Sequence, residues 1–445
     1  MILPKKIRFT FLFISAIIKN HYKVIFLGVI LGVILYFSVP ALFKYLPKPA
    51  KTLKIGVIGQ YQINTIPNSI LEDISSGLTI ISENGEPKPG LAESWTIENE
   101  GKTYIFKIRA ENIYWHDGKT VKVSDINYNF KDIDFSVNQD SLIFKLKEPF
   151  APMPAVLAKP IFKKGLIGLG KYKVKKIVNS GKFISLISLT AFNKKDDLPN
   201  KLYRFYNNET DLKTAFNLGE INQMDNLFNI NNITTGSKIK TTKKIMENAY
   251  IAVFFNTNNP PFASKTFRQA LSYAIPKETG LKRALTPIDS SSWVYNPDVK
   301  PYVQDLAHAL SLLEAENIDT GNLAINISTF PQFENIANQI KENWQQVGIN
   351  SNVRIINSLP ENYEVLILAR EIPKDPDQYY FWHSTQSGNI SFFKNLRIDK
   401  LLEDGRRIID KEERKSIYLD FQRFLVEETS AIFLTHPEVY RVTRE

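Results

Sequence analysis

From Val24 to Phe43 the chain reads VIFLGVILGVILYFSVPALF, twenty residues without a charge. As a helix, such a stretch is about 30 Å long, the thickness of the hydrocarbon layer of a bilayer. A helix satisfies its own backbone polar groups in that layer. A helix on the surface of a soluble protein would keep a polar face, and this one has none. The stretch is also long for a cleaved signal, even with Val39-Pro40-Ala41 near its end. The reading is an uncleaved membrane anchor. Upstream, Ile7–Ile18 is too short to span and is expected to lie in the interface.

Charge follows the same division. The whole chain carries a formal +10, yet nine of its 56 basic residues fall between Met1 and Lys54, where there is no Asp or Glu. The remaining 47 basic residues face 46 acidic ones. The excess therefore flanks the apolar segment, where anionic headgroups attract it, and the near-neutral body has no basic footprint for nucleic acid. Five basic residues precede the segment and four follow it, a slight bias towards a cytoplasmic N-terminus. The absence of cysteine excludes disulfides, Cys-ligated metal, thiol catalysis and a lipid carried on an N-terminal Cys.

After a proline-containing linker, Leu46–Leu53, alternating runs predict strands at Lys54–Ile58, Tyr104–Ile108, Leu142–Leu146, Tyr172–Val178 and Phe183–Leu189. Helical periodicity follows at Thr210–Gly219, Lys265–Ile275, Asp305–Glu316, Phe333–Val347, Asp399–Ile409 and Lys411–Glu428. The Asn/Thr-rich stretch Asn226–Thr242 reads as a surface loop. Mixed strands and helices place the body in the α/β or α+β class.

Catalytic chemistry finds little support. His21, His116, His308, His383 and His436 are scattered, without metal-ligand spacing. No Gly-x-Ser-x-Gly elbow or phosphate loop occurs. Gly165, Gly168 and Gly170 lack the strand-turn-helix context of a dinucleotide site and read as a turn before a strand. Trp115-His116-Asp117-Gly118 reads as a hairpin turn with a packed Trp. The expectation is a protein that is not an enzyme and needs no metal or cofactor.

Several segments, in order, resemble the peptide/nickel type of ABC-transporter solute-binding protein, the dipeptide- and oligopeptide-binding family 5. They are Pro89-Gly-Leu-Ala-Glu-Ser-Trp95, Gly101–Arg109, Trp115–Thr120 and Ser124-Asp125, then Gly168–Tyr172 and Gly219–Asn222. Phe254-Phe-Asn256, Pro260–Phe262 and Phe267–Ala274 continue the series, followed by Ala307–Glu316, Ile336–Ile349, Asp399–Leu402 and Asp410–Arg414. The resemblance runs from about Gly56 to near the end. The body is short for the family and looks trimmed after Ser124.

That resemblance implies a two-lobed, periplasmic-binding-protein-like α/β fold (type II, with a hinged cleft) behind the N-terminal transmembrane helix. The expected divisions are a cytoplasmic or interfacial N-terminus at 1–23, the anchor at 24–43 and a linker at 44–53. Lobe one would be 51–248 plus 430–445, and lobe two 249–429. The implied function is extracytoplasmic capture of oligopeptides and their delivery to ABC permease subunits. The protein would act as a monomer in the cell membrane, bound to the bilayer through 24–43. Residues expected to line the cleft are Tyr61, Phe255, Asn256, Trp293, Tyr295, Glu371, Asp375, Tyr379 and Trp382. Family members place an acidic residue shortly before their Asp-Pro segment to hold the amino terminus of the ligand. Glu371 is the approximate counterpart, before Asp375-Pro376. Two rivals stay open: the same fold with a metal chelate, oligosaccharide or haem as cargo, and a tethered sensor or envelope interaction protein uncoupled from transport.

Overall fold

The computed structural model describes residues 18–24, 26–38, 51–109, 113–193, 196–234, 236–277, 280–316 and 323–444. They form two compact units, one up to Lys51 and one from Thr52 onward. In the first unit, no single described helix is long and apolar enough to cross a membrane. The pair Ile18–Val24 and Phe26–Ser38, bent by 44° at a short break, together has the length and composition to do so. Its apolar side chains stand exposed all round, with Leu27 and Phe37 about 70% accessible. Residues 7–17 of the expected interfacial segment Ile7–Ile18, the end of the expected span at 39–43 and most of the linker lie outside the described residues. Leu53 belongs not to a linker but to the first strand, Thr52–Ile58.

The second unit is built on two large sheets. The first has seven strands in the order Ile239–Ile245, Glu438–Arg444, Gln223–Leu227, Thr52–Ile58, Asn200–Tyr206, Phe183–Ala191 and Tyr172–Ser180. Thr52–Ile58 runs parallel to both of its neighbours, and every other pairing in the sheet is antiparallel. Both edge strands carry three lysines, Lys173, Lys175 and Lys176 on one and Lys240, Lys243 and Lys244 on the other. Charged edges of this kind discourage pairing with another sheet. Ile239–Ile245 corrects the sequence reading, because the expected loop 226–242 runs into a strand. Its polar, lysine-rich sequence hides that, since only one edge of the strand is paired.

A smaller four-stranded antiparallel sheet lies in the same part of the chain, in the order Ala92–Glu98, Thr103–Ile108, Ser141–Lys145 and Asp134–Asn138. Its core gathers Tyr104, Phe106, Phe144 and Trp115. The Trp115 indole donates to Asp125 at 3.1 Å, and Gly118, at φ +81°, closes the turn with a bond to the Trp115 carbonyl. The glycine run does a different job. A Cβ at Gly170 would come within 2.5 Å of the Asp73 carbonyl, so this turn packs backbone on backbone.

The second large sheet has five strands in the order Asn350–Ile355, Ala324–Thr329, Val365–Glu371, Ala249–Phe255 and Ala431–Thr435. Ala249–Phe255 is buried along its whole length because both faces of the sheet are covered. Ile251, Val253 and Phe255 enter one core, with Trp344 and Phe267. Tyr250, Ala252 and Phe254 enter the other, with Trp382 and Phe421. The surrounding helices start at short polar caps: Ser264 for Lys265–Tyr273, Asn395 for Leu396–Arg407 and Asp410 for Lys411–Glu428. The last of these ends where Thr429 turns left-handed at φ +48°.

The chain passes between the two large sheets at Met246–Asn248 and again at His436-Pro437. Ala431–Thr435 is hydrogen-bonded to Ala249–Phe255, so the return to the first lobe begins at Glu438 and not at the expected 430.

Trp344 is fully buried, stacks on Phe255 at 6.4 Å and donates its indole N–H to the Leu271 carbonyl at 3.0 Å. Trp344→Ala is expected to cost about 3–5 kcal/mol through the cavity and the orphaned carbonyl. Guanidinium unfolding measures this, and a loss under about 1 kcal/mol would contradict the assignment of Trp344 to the core.

Candidate functional site between the lobes

The two crossings run side by side. The Met246 amide donates to the Pro437 carbonyl at 2.9 Å, and the His436 amide donates to the Lys282 carbonyl at 2.8 Å. The buried His436 ring bonds the Ala249 carbonyl through Nδ1 at 2.8 Å, so Nδ1 carries the proton. Glu247 and Lys282 form an ion pair at 2.6 Å. Two short links therefore join the lobes, and the residues around them form the candidate site.

On the first lobe, Tyr61 follows the end of Thr52–Ile58. Its main chain bridges to Ile184, its hydroxyl donates to the Ile58 carbonyl at 3.0 Å, and its ring packs on Phe205 at 5.4 Å. Gly59 makes this possible. It stands at φ +129°, and a Cβ there would come within 2.6 Å of the Tyr61 ring. Burial raises the Tyr61 phenol above its ordinary pKa, and the Glu371 carboxylate raises it further. Tyr61 and Glu371, 310 positions apart in the chain, thus share one electrostatic environment.

Glu371 ends the strand Val365–Glu371 opposite Ala249, beside the first crossing, where the Ile372 amide bonds the Asn248 carbonyl at 2.8 Å. It is exposed. The next two acids are each taken by an arginine: Asp375 by Arg414 at 3.1 Å and Asp377 by Arg406 at 2.8 Å. No described cation pairs with Glu371. Burial alone would lower the Arg414 guanidinium, but the Asp375 carboxylate more than reverses this and keeps the cation charged.

The other expected residues separate by burial. Trp293 is half-buried at the lobe boundary, with Lys411 over its ring at 5.5 Å. Tyr295 and Tyr379 are half-buried within lobe two. Tyr379 lies between Arg406 (3.9 Å to the ring centre) and His383 (4.2 Å between rings). Three expectations are corrected. The Phe255 ring is wholly inside the core, stacked on Phe262 at 5.5 Å. Asn256 is buried and spends its amide on the Tyr363 carbonyl at 2.8 Å, fixing a turn. Trp382 is buried against Phe254.

What the sequence reading missed is a contact between the lobes. The turn Ser82–Glu86 reaches from the first lobe to the second. There the Ser291 hydroxyl donates to the Glu83 carbonyl at 3.1 Å and the Trp293 amide to the Asn84 carbonyl at 3.2 Å. Glu86 pairs with Lys411, which holds the Glu86 carboxyl below its usual range. Gly85, at φ +84°, sits directly on the Lys374 carbonyl. The Asn84-Gly85 step, a strong hairpin signal, was legible in the sequence. A second seam joins the Ala151 amide to the Arg406 carbonyl at 2.6 Å and seats Gly101 on Ile409. Beside it lies an open cavity of about 360 Å³ between 97–101 and 407–413.

Among the described residues, no group of three His, Asp or Glu is placed to hold a metal. Two sheet-based lobes joined by two short crossings, with Glu371 unpaired by any described cation beside them, are equipped to enclose a solute. The profile of the bacterial extracellular solute-binding proteins, family 5 (middle region), matches residues 86–139 and 133–392. The chain belongs to this family. This solute-binding protein is 23% identical to the oligopeptide-binding protein AppA of Bacillus subtilis, over 88% of this chain and 87% of that one. Its fold is similar to that of NikZ from Campylobacter jejuni in complex with Ni(L-His), with a TM-score of 0.74 at 22% identity over 89% of this chain and 94% of that one. It is also similar to the structure of B. subtilis AppA in complex with a nonapeptide, with a TM-score of 0.68 at 22% identity over 89% and 95%.

The turn at Gly85 gives a direct test of how the lobes are held. A side chain at position 85 has no space above the Lys374 carbonyl, so Gly85→Val is expected to part the lobes without unfolding either. Small-angle scattering should show a larger radius of gyration with unchanged far-ultraviolet circular dichroism. An unaltered radius would show that the turn does not hold the lobes together.

Proposed function

We propose that this protein is the extracytoplasmic binding component of an ABC-type importer and captures oligopeptides in the crevice between its lobes. The observation that carries the reading is Glu371, an exposed carboxylate beside the first crossing with no cation paired to it among the described residues. A carboxylate in this setting suits the α-ammonium of a peptide, because a charge-assisted bond gains strength where closure removes water. Trp293 and Tyr61 offer broad apolar contact at small entropic cost, which favours tolerance of different side chains. An extended peptide also pairs its own backbone with exposed strand edges. The name of the B. subtilis relative supports the same class of ligand.

The bent apolar helix pair before Lys51 acts as a single-pass anchor that keeps a monomeric receptor at the outer face of the cell membrane. The exposure of its apolar side chains and the absence of any cysteine for lipid attachment support this reading. Closure around ligand is the form a permease would engage, so bound peptide biases a two-state element.

Thermal denaturation of the full chain in detergent tests the ligand class. A bound peptide at 100 times its dissociation constant adds about 2.7 kcal/mol of stability. If no peptide pool moves the midpoint while nickel-histidine or haem does, the peptide reading fails. Glu371→Gln is expected to weaken free peptides about tenfold or more and to leave N-acetylated peptides unchanged. Equal losses for both would remove Glu371 from the recognition of the amine.

A further inference from the structure

Away from the crevice, three cationic side chains of lobe two converge on one small cavity. It measures about 10 Å³, enough to seat one water-sized particle, and its polar lining comes from Ser272, Lys277, Arg283, Lys300, Tyr302 and Thr429. The rest of the described lining is aliphatic or aromatic, and it includes no carboxylate. Lys277 is only 6% exposed. Its ammonium donates to the carbonyls of Ser272 at 2.6 Å and Ile275 at 2.8 Å, at the end of the helix Lys265–Tyr273. An ammonium has three protons to donate. The third has no described acceptor.

Capping of a helix C-terminus explains one buried cation. It does not explain Arg283, which is part-buried. Arg283 donates through Nη2 to the Pro301 carbonyl at 2.6 Å, while its Nε is buried without a partner among the described residues. Lys300 completes the group, lying 4.8 Å from the centre of the Tyr302 ring. Burial first, and then the like charge of Arg283, both disfavour the charged form of Lys277. The buried Lys277 and the part-buried Arg283, with no counter-ion among the described residues, are costly to hold together. An acceptor with a negative charge would satisfy the spare ammonium proton and the orphaned Nε at once.

We propose that this cavity is a binding site for one small monatomic anion of the halide class, held between the Lys277 ammonium and Arg283 Nε with Lys300 nearby. Its small volume favours a monatomic ion over phosphate or sulfate. Its position matters because Arg283 bridges to Thr435, the last residue before the second crossing. The adjacent Lys282 holds both Glu247 and the His436 amide. A bound anion therefore fixes the segment that braces the hinge. The proposal does not depend on the ligand carried in the crevice.

The test is the thermal midpoint of the full chain in detergent, with sodium chloride or bromide replacing sodium gluconate at constant ionic strength. The midpoint should rise by about 1–2 °C per tenfold increase in halide above its dissociation constant. Arg283→Gln should abolish that dependence. Because Lys277→Met risks the helix cap, the second measurement uses the unaltered protein: crystals soaked in bromide should show an anomalous peak in the cavity. Identical midpoints in chloride and gluconate with no bromide peak would overturn the proposal. So would a rise shared equally by sulfate, which reports general salt effects. A halide response seen only in Glu278→Gln would also overturn it, by assigning the negative charge to the carboxylate next to Lys277 in the sequence.

Discussion

The lobes of this protein are joined by two short backbone crossings, and every motion of one lobe against the other must be absorbed there. Antiparallel strands continue into both sheets on either side of the crossings, from Ile245 opposite Glu438 in one to Ile251 opposite Thr435 in the other. Each crossing is therefore clamped at both ends by ladder hydrogen bonds, and only Met246–Asn248 and His436-Pro437 are left to flex. Rotations concentrated in so few residues produce hinge closure and not sliding. The Glu247–Lys282 pair and the buried His436 limit the hinge further, because both tie the crossings to the segment that carries Lys282.

Charge placement near the crevice follows from the same geometry. Asp375 and Asp377 lie just beyond Glu371, and each is neutralised by an arginine from the last two helices. A buried carboxylate without such a partner would be driven to protonate. Both pairs are internal to lobe two, so neither depends on how the lobes stand to each other. Glu371, exposed at the end of its strand, needs no such neutralisation, because water solvates its charge.

Much of the architecture was legible because local signals agreed with tertiary context. Lys411–Glu428 has an aspartate cap, two glutamates in its first turn and buried apolar residues at Tyr418, Phe421 and Leu425, and the structure gives the same limits. Signals failed where burial was symmetrical or absent. Ala249–Phe255 is apolar at nearly every position because each face meets a core, so its sequence could not tell which residues line a surface, and Phe255 was misplaced. Ile239–Ile245 failed in the opposite sense, since a strand paired on one side only has little need of apolar residues. The boundary at 430 failed because Ala431–Thr435 is as apolar as any lobe-one strand, and only its partner reveals its sheet. At the candidate site, Tyr61, Trp293 and Glu371 stood out by residue type. The turn Ser82–Glu86 did not, because it acts mainly through its backbone.

That last property has a consequence for how the protein can change over time. The Glu83, Asn84 and Lys374 contacts that join the lobes are made by main-chain carbonyls, which every residue type supplies. Substitutions at 83, 84 or 374 can alter surface character while preserving the same mating surface. Divergence is constrained mainly at one position, the glycine between them, where the addition of a single carbon atom would force the surfaces apart.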